Sequence, residues 1–576
     1  MAGGTYTDYK GFVIRDKVEV LGGFPASGAP GVDDRHPLLS QYIPANQESE
    51  GLAKSQYETI LQIQAMKPFM ENGKGGFKAN PEANLPDRTR KPVLFQPDVC
   101  LPTKSPSGRE SSYSYWNWER VWSWEGLGNQ WVEKGYGSSV PGVDETASNT
   151  YRWRSQEGGY VEYVGATWDG FTIRHGFYTD YKANRDGGAG VRIFRGVTLQ
   201  NCVVVDNYIN AHDNAGRGAG IYCDGNNSKV LNCFVLSNVC NSSEGYGGGM
   251  YMILGTSYNT LVANNYAEVN GGGIFIEDAM FYNNTVVYNR SHGYTDDNGT
   301  FIPGTGGLHQ WSASSQTETT LKLYNTIFYG NDNRAVGVSE VSNFNGAWNC
   351  FVQTELDLYA TVQGKIQQSQ IGMNLSSPFA SKQAQNENNF RLNADTWCLN
   401  KGTESLGNDY LGKPVELPAT DVDFTDRIKD CTVDIGAYER NNEDVVKPDG
   451  EGVYYVTFNG NGTADASSPD NAACAMKLQE VLNAAGHRVE GGSTAIVKIA
   501  GYKGGDASVY HPNTLVNPND PKSYTFVIPK GVTVMGGYYE GTYVNGKWQE
   551  DSGNWNDDGR DAAQYMTVLS AVSDEA

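Results

Sequence analysis

A short glycine-rich motif that returns at nearly regular intervals constrains the fold of this chain more than any other feature. Each copy contains a small residue, a glycine and an apolar residue in succession, and that glycine falls at positions 190, 220, 249, 273 and 307. Successive copies are therefore 30, 29, 24 and 34 residues apart. A period between about 20 and 50 residues is typical of a solenoid, in which each repeat stacks on its neighbours. The copies occupy 187–191, 218–222, 247–251, 271–275 and, in degenerate form, 306–309.

A second motif lies between the glycine motifs and consists of a short apolar run that ends in asparagine. Its copies occupy 202–207, 233–238, 261–265, 285–289 and 326–331. The runs are short and rich in Val, Ile, Tyr and Phe, which favours strands over helices. Asparagine tolerates left-handed turns, and stacked asparagines are predicted to form amide ladders. Cys202, Cys233 and Cys350 each follow an asparagine, so we interpret them as inward-facing residues at equivalent positions of the stack.

The alternation of these motifs resembles the right-handed parallel β-helix family that includes polymorphic outer-membrane proteins and pectate-lyase-like folds. Residues 390–402, with Asp-Ile-Gly-Ala-Tyr-Glu at 434–439, are similar to the closing module called choice-of-anchor Q. That module is common in secreted proteins of Bacteroidota. The resemblance covers most of 150–440 and implies an all-β, right-handed parallel β-helix. It implies little about chemistry, because this scaffold carries many functions.

Two distant segments of the chain are similar to each other. Phe-Val-Ile occurs at 12–14 and at 526–528, and Gly-Gly occurs at 22–23 and at 536–537, both with an offset of 514 residues. We therefore expect one β-helix that lacks its beginning and a second that lacks its end. The predicted parts are opening coils (1–65), an aromatic-rich insertion (66–155), β-helix coils (156–386), the closing module (387–440), a linker (441–451) and the opening module of a second β-helix (452–576).

The second opening module is predicted to contain one capping α-helix at 471–485. Leu478, Val481, Leu482 and Ala485 form one apolar stripe with helical spacing. The Ser-Pro-Asp sequence at 468–470 provides capping chemistry, and the glycine at 486 is expected to end the helix. Such a helix would cover the open end of the solenoid, where unpaired strand edges otherwise invite association.

Charge and cysteine content limit the partners and the cellular location. A net charge of −22 argues against nucleic acid or an anionic membrane as partner, and the apolar runs are too short for membrane insertion. The first residues lack the features of a signal peptide, which we attribute to a start within a domain; we expect an extracellular or cell-surface protein. The nine cysteines show no Cys-x-x-Cys spacing, which disfavours zinc. Cys398 and Cys431 either pair or remain free thiols.

The best candidates for ligand binding are the tryptophans of the aromatic insertion, Trp116, Trp118, Trp122 and Trp124. Exposed Trp side chains combine flat apolar faces with polar edges, which suits a sugar ring or a protein partner. The alternative is that the aromatic side chains pack the insertion against the solenoid, and we favour this alternative for most of the cluster.

Catalytic residues are not indicated by the repeats. A β-helix lyase or hydrolase needs clustered carboxylates or a cationic base, whereas Asp169, Asp206 and Glu277 do not recur as pairs in adjacent coils. We interpret these carboxylates as solvated turn residues, and His175 and His309 as ordinary surface or turn histidines. The acidic loop at 421–427 clusters the hard oxygen ligands that a structural calcium ion takes, but we favour the alternative of Asp–Arg pairing at a turn.

Together these observations predict a non-catalytic, secreted or cell-surface β-helix. It would act as an adhesin or as a stalk that binds an extracellular glycan or surface protein. The alternative is a polysaccharide lyase or glycoside hydrolase of the pectate-lyase-like class.

Overall fold

The fold is an all-β solenoid with long parallel sheets, which confirms this part of the sequence-based prediction. The computed structural model describes residues 1–9, 11–14, 18–25, 35, 57–85, 90–95, 166–179, 187–193, 196–211, 216–277, 279–311, 321–338, 344–353, 366–367, 369–371, 376–393, 396–408, 414–428, 431–440, 446–503, 508–512, 524–539, 543–544, 547–548 and 554–570.

Each turn of the chain, here called a rung, contributes strands to three sheets, called face 1, face 2 and face 3. Strands that follow each other on one face are paired in parallel, so each rung depends on the rungs beside it. Face 1 contains Gly4–Thr7, Thr59–Gln62, Phe171–Arg174, Val203–Val205, Phe234–Leu236, Leu261–Ala263, Thr285–Val287, Ile327–Tyr329, Phe351–Val352 and Gln370–Ile371.

Faces 2 and 3 complete each rung. Face 2 contains Arg90–Lys91, Phe177–Tyr178, Tyr208–Ile209, Val239–Cys240, Tyr266–Ala267 and Arg290–Ser291, of which Arg90–Lys91 alone pairs antiparallel. Face 3 contains Phe12–Val13, Glu19–Leu21, Leu94–Phe95, Thr167–Asp169, Val191–Ile193, Thr198–Gln200, Ile221–Leu231, Met250–Tyr258, Ile274–Ile276, Ala279–Tyr282, Leu308–Gln310, Leu321–Tyr324, Val336–Val338, Phe344–Trp348 and Ile366–Gln367. Within the predicted insertion 66–155, strands Arg90–Lys91 and Leu94–Phe95 therefore belong to a rung.

The core of the solenoid consists of side chains stacked in register from rung to rung. On face 1, Val204 pairs with Val235, Val235 with Val262, Val262 with Val286, and Val286 with Phe328. All five side chains are fully buried. Since β-branched and aromatic side chains pack well on a pleated surface, the apolar runs of the second motif form these strands.

A ladder of asparagines, of which all but the last member are buried, runs along the corner between faces 1 and 2, as the sequence predicts. The Nδ2 of each side chain donates to the Oδ1 of the next, over 2.9, 3.0, 2.9 and 3.0 Å. Each Oδ1 also accepts a backbone N–H from the preceding rung. The ladder satisfies backbone groups that the turn leaves without a strand partner. Its members are Asn207, Asn238, Asn265, Asn289 and Asn331.

The stacked cysteines are also confirmed. Cys202, Cys233 and Cys350 are buried, and each follows an asparagine with a left-handed backbone (φ 54°, 49° and 53°). The neighbouring rungs place threonine or asparagine at the same point, so the position requires a small side chain and not cysteine chemistry. The six equivalent residues are Cys202, Cys233, Thr260, Asn284, Thr326 and Cys350.

The predicted closing module lies along the side of the solenoid. Phe390, Leu399 and Ile435 belong to one apolar cluster with Phe234 and Ile327, which point outward from face 1. This cluster extends from the Val203–Val205 rung to the Phe351–Val352 rung. The module thus covers the outer face of face 1, where apolar side chains would otherwise be exposed to water.

The two alternatives for Cys398 and Cys431 have different outcomes: their mutual pairing is wrong, and the free-thiol alternative is confirmed for Cys398 but wrong for Cys431. Cys431 forms a disulfide bond with Cys474, across 43 residues and a Cα–Cα distance of 5.3 Å, whereas Cys398 is a buried free thiol. The bond joins the closing module to the second opening module. Gly460 has a φ of 74°, and a Cβ there would approach the Cys431 sulfur to 2.7 Å. Glycine at 460 therefore leaves space for the bridge.

The second opening module contains the predicted helix, but with shifted ends. The helix is Leu478–Glu490, and its stripe Leu478, Val481, Leu482 and Ala485 is buried against the strands of this module. The preceding residues form separate 3-10 turns. The glycine at 486 does not end the helix; it lies where a Cβ would come within 2.7 Å of Pro529. The glycine is thus a packing residue, and the C-cap is Gly491.

The remaining elements are short. The α-helix Ala384–Glu387 and the 3-10 turns Pro81–Ala83 and Asp557–Gly559 lie outside the sheets. The second opening module contains strands Val453–Val456, Ile496–Lys503, Ser508–Tyr510, Thr533–Tyr539 and Tyr565–Leu569, with a hairpin of Tyr543–Val544 and Lys547–Trp548. Two further hairpins project beside face 2, formed by Phe69–Glu71 with Phe77–Ala79 and by Gly293–Thr295 with Phe301–Pro303.

The two similar segments share side-chain contacts as well as sequence. The backbone N–H of Gly23 donates to Thr59 Oγ1 over 2.9 Å, and Gly537 donates to Thr567 Oγ1 over 3.3 Å. A tyrosine hydroxyl also donates to an alanine carbonyl in both segments, from Tyr6 to Ala2 (3.0 Å) and from Tyr510 to Ala500 (2.8 Å). Matching contacts of this kind indicate that both segments form the same local structure.

Candidate functional site

A cleft between the two projecting hairpins is the strongest candidate site among the described residues. Its volume is about 580 Å³, within the range of roughly 300–1,000 Å³ that is usual for ligand sites. Hairpin 69–79 forms one wall, hairpin 293–303 forms the other, and face 2 forms the floor. We call this site the hairpin cleft. It is lined by Asn72, Lys74, Gly75, Gly76, Phe77, Asn241, Tyr266, Glu268, Arg290, Ser291, His292, Phe301, Pro303, Asp332 and Asn333.

Local sequence explains both hairpins. In hairpin 69–79, Asn72 Oδ1 accepts the backbone N–H groups of Lys74 and Gly76, while Gly73 adopts a φ of 74°. Asn and Gly are the residues that such turns require. The tip of hairpin 293–303 repeats this arrangement, since Asp296 Oδ1 accepts the N–H groups of residues 298 and 300.

Aromatic packing attaches hairpin 69–79 to the solenoid. The ring of Phe77 meets Phe69 at 5.4 Å and Tyr266 at 5.1 Å, both edge to face. Phe69 is buried and also lies 5.5 Å from the ring of Tyr208. Edge-to-face pairs contribute about 0.5–1.5 kcal/mol each beyond the area that they bury. The first wall of the cleft therefore has a firm position against face 2.

Two polar groups on the floor are oriented by this wall. The guanidinium carbon of Arg290 lies 5.4 Å from the ring centre of Phe77, and Arg290 Nη1 donates to the Gly75 carbonyl over 3.4 Å. The Tyr266 hydroxyl donates to Glu268 Oε2 over 2.7 Å. Burial raises the pKa of Tyr266, and its hydrogen bond to the Glu268 carboxylate raises it further. Tyr266 therefore remains a neutral donor.

The opposite wall is more open. Phe301 is 49% exposed, and its ring lies 5.2 Å from that of His292. Beside them, Asn333 Nδ2 donates to the Ser291 carbonyl over 3.2 Å. Partial burial raises the pKa of Asp332, and the positive charge of Arg290 acts in the opposite direction. The wall thus combines one exposed aromatic face with polar side chains at its base.

The sequence-based candidates for binding cannot be placed. Trp116, Trp118, Trp122 and Trp124 lie outside the described residues. The residues of the hairpin cleft were not selected from sequence. One signal was present: the step between glycines 273 and 307 is 34 residues, the longest of the series, and hairpin 293–303 accounts for the excess.

The carboxylates considered for catalysis are engaged in structural contacts. Asp169 is buried, and its Oδ1 accepts from Arg35 over 2.8 Å and from Asn201 over 2.9 Å. Asp206 lies 2.6 Å from the Lys67 ammonium group. The interpretation as solvated turn residues is therefore wrong for Asp169. The pairing with Arg35 was not expected, because the two residues are far apart in the chain.

The interpretation as surface or turn histidines holds only in part, since His175 lies at a turn with a φ of 61° and His309 lies inside strand Leu308–Gln310. His175 is buried, and its Nδ1 lies 2.9 Å from the Gln64 carbonyl. His309 is buried, stacks on Phe275 at 5.3 Å and lies 3.0 Å from the Thr305 hydroxyl. Burial lowers the pKa of His309 to about 3, with a further contribution from Arg334. Neither side chain is a surface residue.

The acidic loop of the closing module forms Asp–Arg pairing, but with another arginine. Asp423 receives two hydrogen bonds from Arg391, over 2.6 and 2.8 Å. Asp421 Oδ1 accepts from Thr425 Oγ1 over 2.9 Å. The loop arginine, Arg427, is fully buried and lies 3.6 Å from Glu439. Among the residues that the structure describes, no three His, Cys, Asp or Glu side chains gather as a metal site would require.

Comparisons of the chain with protein-family models, with curated proteins and with solved structures find no match. The part of the chain that the structure describes contains no helix long and apolar enough to span a membrane. The features of the described residues that bear on function are the geometry of the hairpin cleft and the contacts between modules.

Proposed function

We propose that this protein is a non-catalytic, secreted or cell-surface β-helix that binds an extracellular glycan or surface protein through the hairpin cleft. The cleft itself is the observation that supports this proposal most. It combines an exposed aromatic side chain, Phe301, with oriented polar groups such as Arg290 and Glu268. Recognition sites commonly join an apolar surface to a few well-placed polar groups. An adhesin or binding stalk would present such a cleft on a long, rigid scaffold.

The disulfide bond supports an extracellular location. Cys431 and Cys474 join two modules of the chain, and disulfides persist mainly in oxidising compartments. The net charge of −22 agrees with a soluble protein that avoids nucleic acid. The location also agrees with the resemblance of residues 387–440 to the choice-of-anchor Q module.

We further propose that the solenoid winds to the right, as in the β-helix family that the sequence resembles. Connections between parallel strands of one sheet are right-handed in nearly all proteins, because twisted strands pack back onto the sheet only with that hand. The parallel pairing along each face supports this inference.

A glycoside hydrolase or polysaccharide lyase remains the second candidate. One observation favours it: the carboxylates of Glu268 and Asp332 line the same cleft. The raised pKa of Asp332 is the direction that a general acid requires.

The test is to measure binding and turnover with the same preparation of the whole 576-residue chain. Binding to arrays of glycans and surface proteins, without release of reducing or unsaturated sugar from neutral or uronate-rich polymers, is the expected result. Phe301→Ala should weaken the array signal if the hairpin cleft is the site. Loss of the signal in the Trp116→Ala/Trp118→Ala variant, with Phe301→Ala unaffected, would assign binding to the aromatic insertion. Product release that Asp332→Asn abolishes would establish an enzyme and overturn the non-catalytic function.

A further inference from the structure

We propose that the hairpin cleft takes a neutral oligosaccharide of hexose units. This inference rests on the proposed binding function and narrows its ligand from any glycan or protein to one chemical class. Three observations carry it: the aromatic side chain on the open wall, the mixture of donors and acceptors on the floor, and the balance of charge.

The aromatic side chain on the open wall is directed by strand alternation. In hairpin 293–303, Thr295 pairs with Phe301 and Gly293 pairs with Pro303, whereas Tyr294 pairs with Ile302. Successive side chains along a strand point to opposite sides. Phe301 and Pro303 accordingly line the cleft and Tyr294 does not. The C–H face of a hexose ring is apolar and flat, so it can stack on the exposed ring of Phe301.

The floor provides both kinds of hydrogen-bonding group within one cavity. Lys74 on the hairpin wall and Arg290 on the floor are donors, and the carboxylate of Glu268 is an acceptor. The side-chain amides of Asn241 and Asn333 contain both kinds of group, and each Nδ2 already donates one hydrogen bond within the protein. Each hydroxyl of a hexose donates one hydrogen bond and accepts others. A floor with both donors and acceptors suits hydroxyl groups better than it suits an anion, which only accepts, or an apolar peptide side chain, which does neither.

The charge of the cleft and of the whole chain favours a neutral saccharide over a uronate as the ligand. The positive charges of Lys74 and Arg290 are balanced by the negative charges of Glu268 and Asp332, so the cleft has no excess positive charge to attract a polyanion. The chain as a whole has a net charge of −22, and the resulting negative field repels polyuronates at a distance. A neutral saccharide does not experience this repulsion.

The experiment is a calorimetric titration of the full chain with cello-, malto- and manno-hexaose, and with oligogalacturonate of the same length. One of the neutral hexaoses is expected to bind. Phe301→Ala should lower the affinity for that hexaose by at least about tenfold, because the stacking surface is lost. Glu268→Gln keeps an acceptor for Tyr266 but removes the charge, and should weaken binding about fivefold. Tyr294→Ala is the matched control on the same hairpin, with 42% exposure against 49% for Phe301, and should change affinity less than about twofold.

Three results would overturn the proposal: no heat with any neutral hexaose, tighter binding of oligogalacturonate, or equal affinities of Phe301→Ala and wild type. Far-ultraviolet circular dichroism checks the fold of each variant. Capture of a surface protein that depends on Phe301, without saccharide binding, refutes the saccharide but leaves the binding function intact. Hydrolysis of a bound neutral hexaose would have the opposite meaning. It would support the saccharide as the ligand class and would refute the non-catalytic function.

Discussion

Replacement of Asn265 by alanine tests whether the asparagine ladder stabilises the solenoid. The side chain is fully buried and makes four hydrogen bonds: its Oδ1 accepts from the backbone N and Nδ2 of Asn238, and its Nδ2 donates to the Val235 carbonyl and to Asn289 Oδ1. The left-handed residue of this turn is Asn264 (φ 58°), so alanine at 265 adds no backbone strain. With ~0.5–1.5 kcal/mol for each bond, Asn265→Ala should lower the free energy of unfolding by about 2–6 kcal/mol.

The assay is urea unfolding followed by circular dichroism, together with hydrogen exchange at the backbone N–H of Asn238, which loses its acceptor. Asn298→Ala, at the exposed tip of hairpin 293–303, is the control and should change stability by less than about 0.5 kcal/mol. Asn265→Asp keeps the shape but replaces the donating amide by a carboxylate, so it should be at least as harmful. A loss below about 1 kcal/mol in Asn265→Ala, with Asn238 still protected, would refute the argument.

Three further predictions concern pH, the disulfide bond and one glycine. Because the pKa of His309 is lowered to about 3 in the folded state, its neutral form contributes stability that is complete above pH ~6.5 and is lost as the pH falls toward 3; His309→Gln should flatten the pH dependence of Tm in this window. Cys431→Ser/Cys474→Ser should destabilise the second opening module by about 4 kcal/mol, as expected for a 43-residue loop, measured by urea-dependent hydrogen exchange of residues 446–503. Gly272→Ala should lower the free energy of unfolding by about 1–3 kcal/mol, because its Cβ would lie 2.1 Å from the Arg290 carbonyl oxygen.

Each of these predictions has its own control. An unchanged pH profile in His309→Gln would contradict the buried-histidine argument. Equal exchange of oxidised and serine-substituted protein would show that contacts such as Asn400 Nδ2 to the Gly462 carbonyl (3.1 Å) suffice to hold the modules together. Gly450→Ala is the control for Gly272→Ala, since nothing lies within 4 Å of its Cβ position. Similar losses in both glycine variants would refute the close-approach explanation.

The repeat could be inferred from sequence because its determinants are local. The turn at Asn201 needs a residue that tolerates a φ of 54°, and a Gly at 220 is needed where a Cβ would lie 2.5 Å from the Gly249 carbonyl oxygen. Such requirements recur in every rung, so they appear as a period in the sequence. The same logic located the stacked Cys202 and the ladder residue Asn207.

The site could not be inferred in this way. Phe77 on one wall of the hairpin cleft packs on Tyr266 of the floor although 189 residues separate them, and no spacing rule links an insertion in one rung to the strand of another. The disulfide partner of Cys431 was missed for a similar reason. The sequence placed Cys398 in the same module, but only the docking of the second opening module brings Cys474 to a Cα–Cα distance of 5.3 Å.

By itself, the sequence determined that this chain winds into stacked parallel strands with small and amide-bearing residues at its corners. Those features depend on backbone conformation and on the identity of neighbouring repeats, which the order of residues records directly. Only the tertiary structure decided which outer surfaces are covered, which carboxylates are buried, and where two hairpins enclose a cleft. These features depend on contacts between side chains that are distant in sequence and meet only after the rungs have stacked. The period of a repeat carries no information about such contacts.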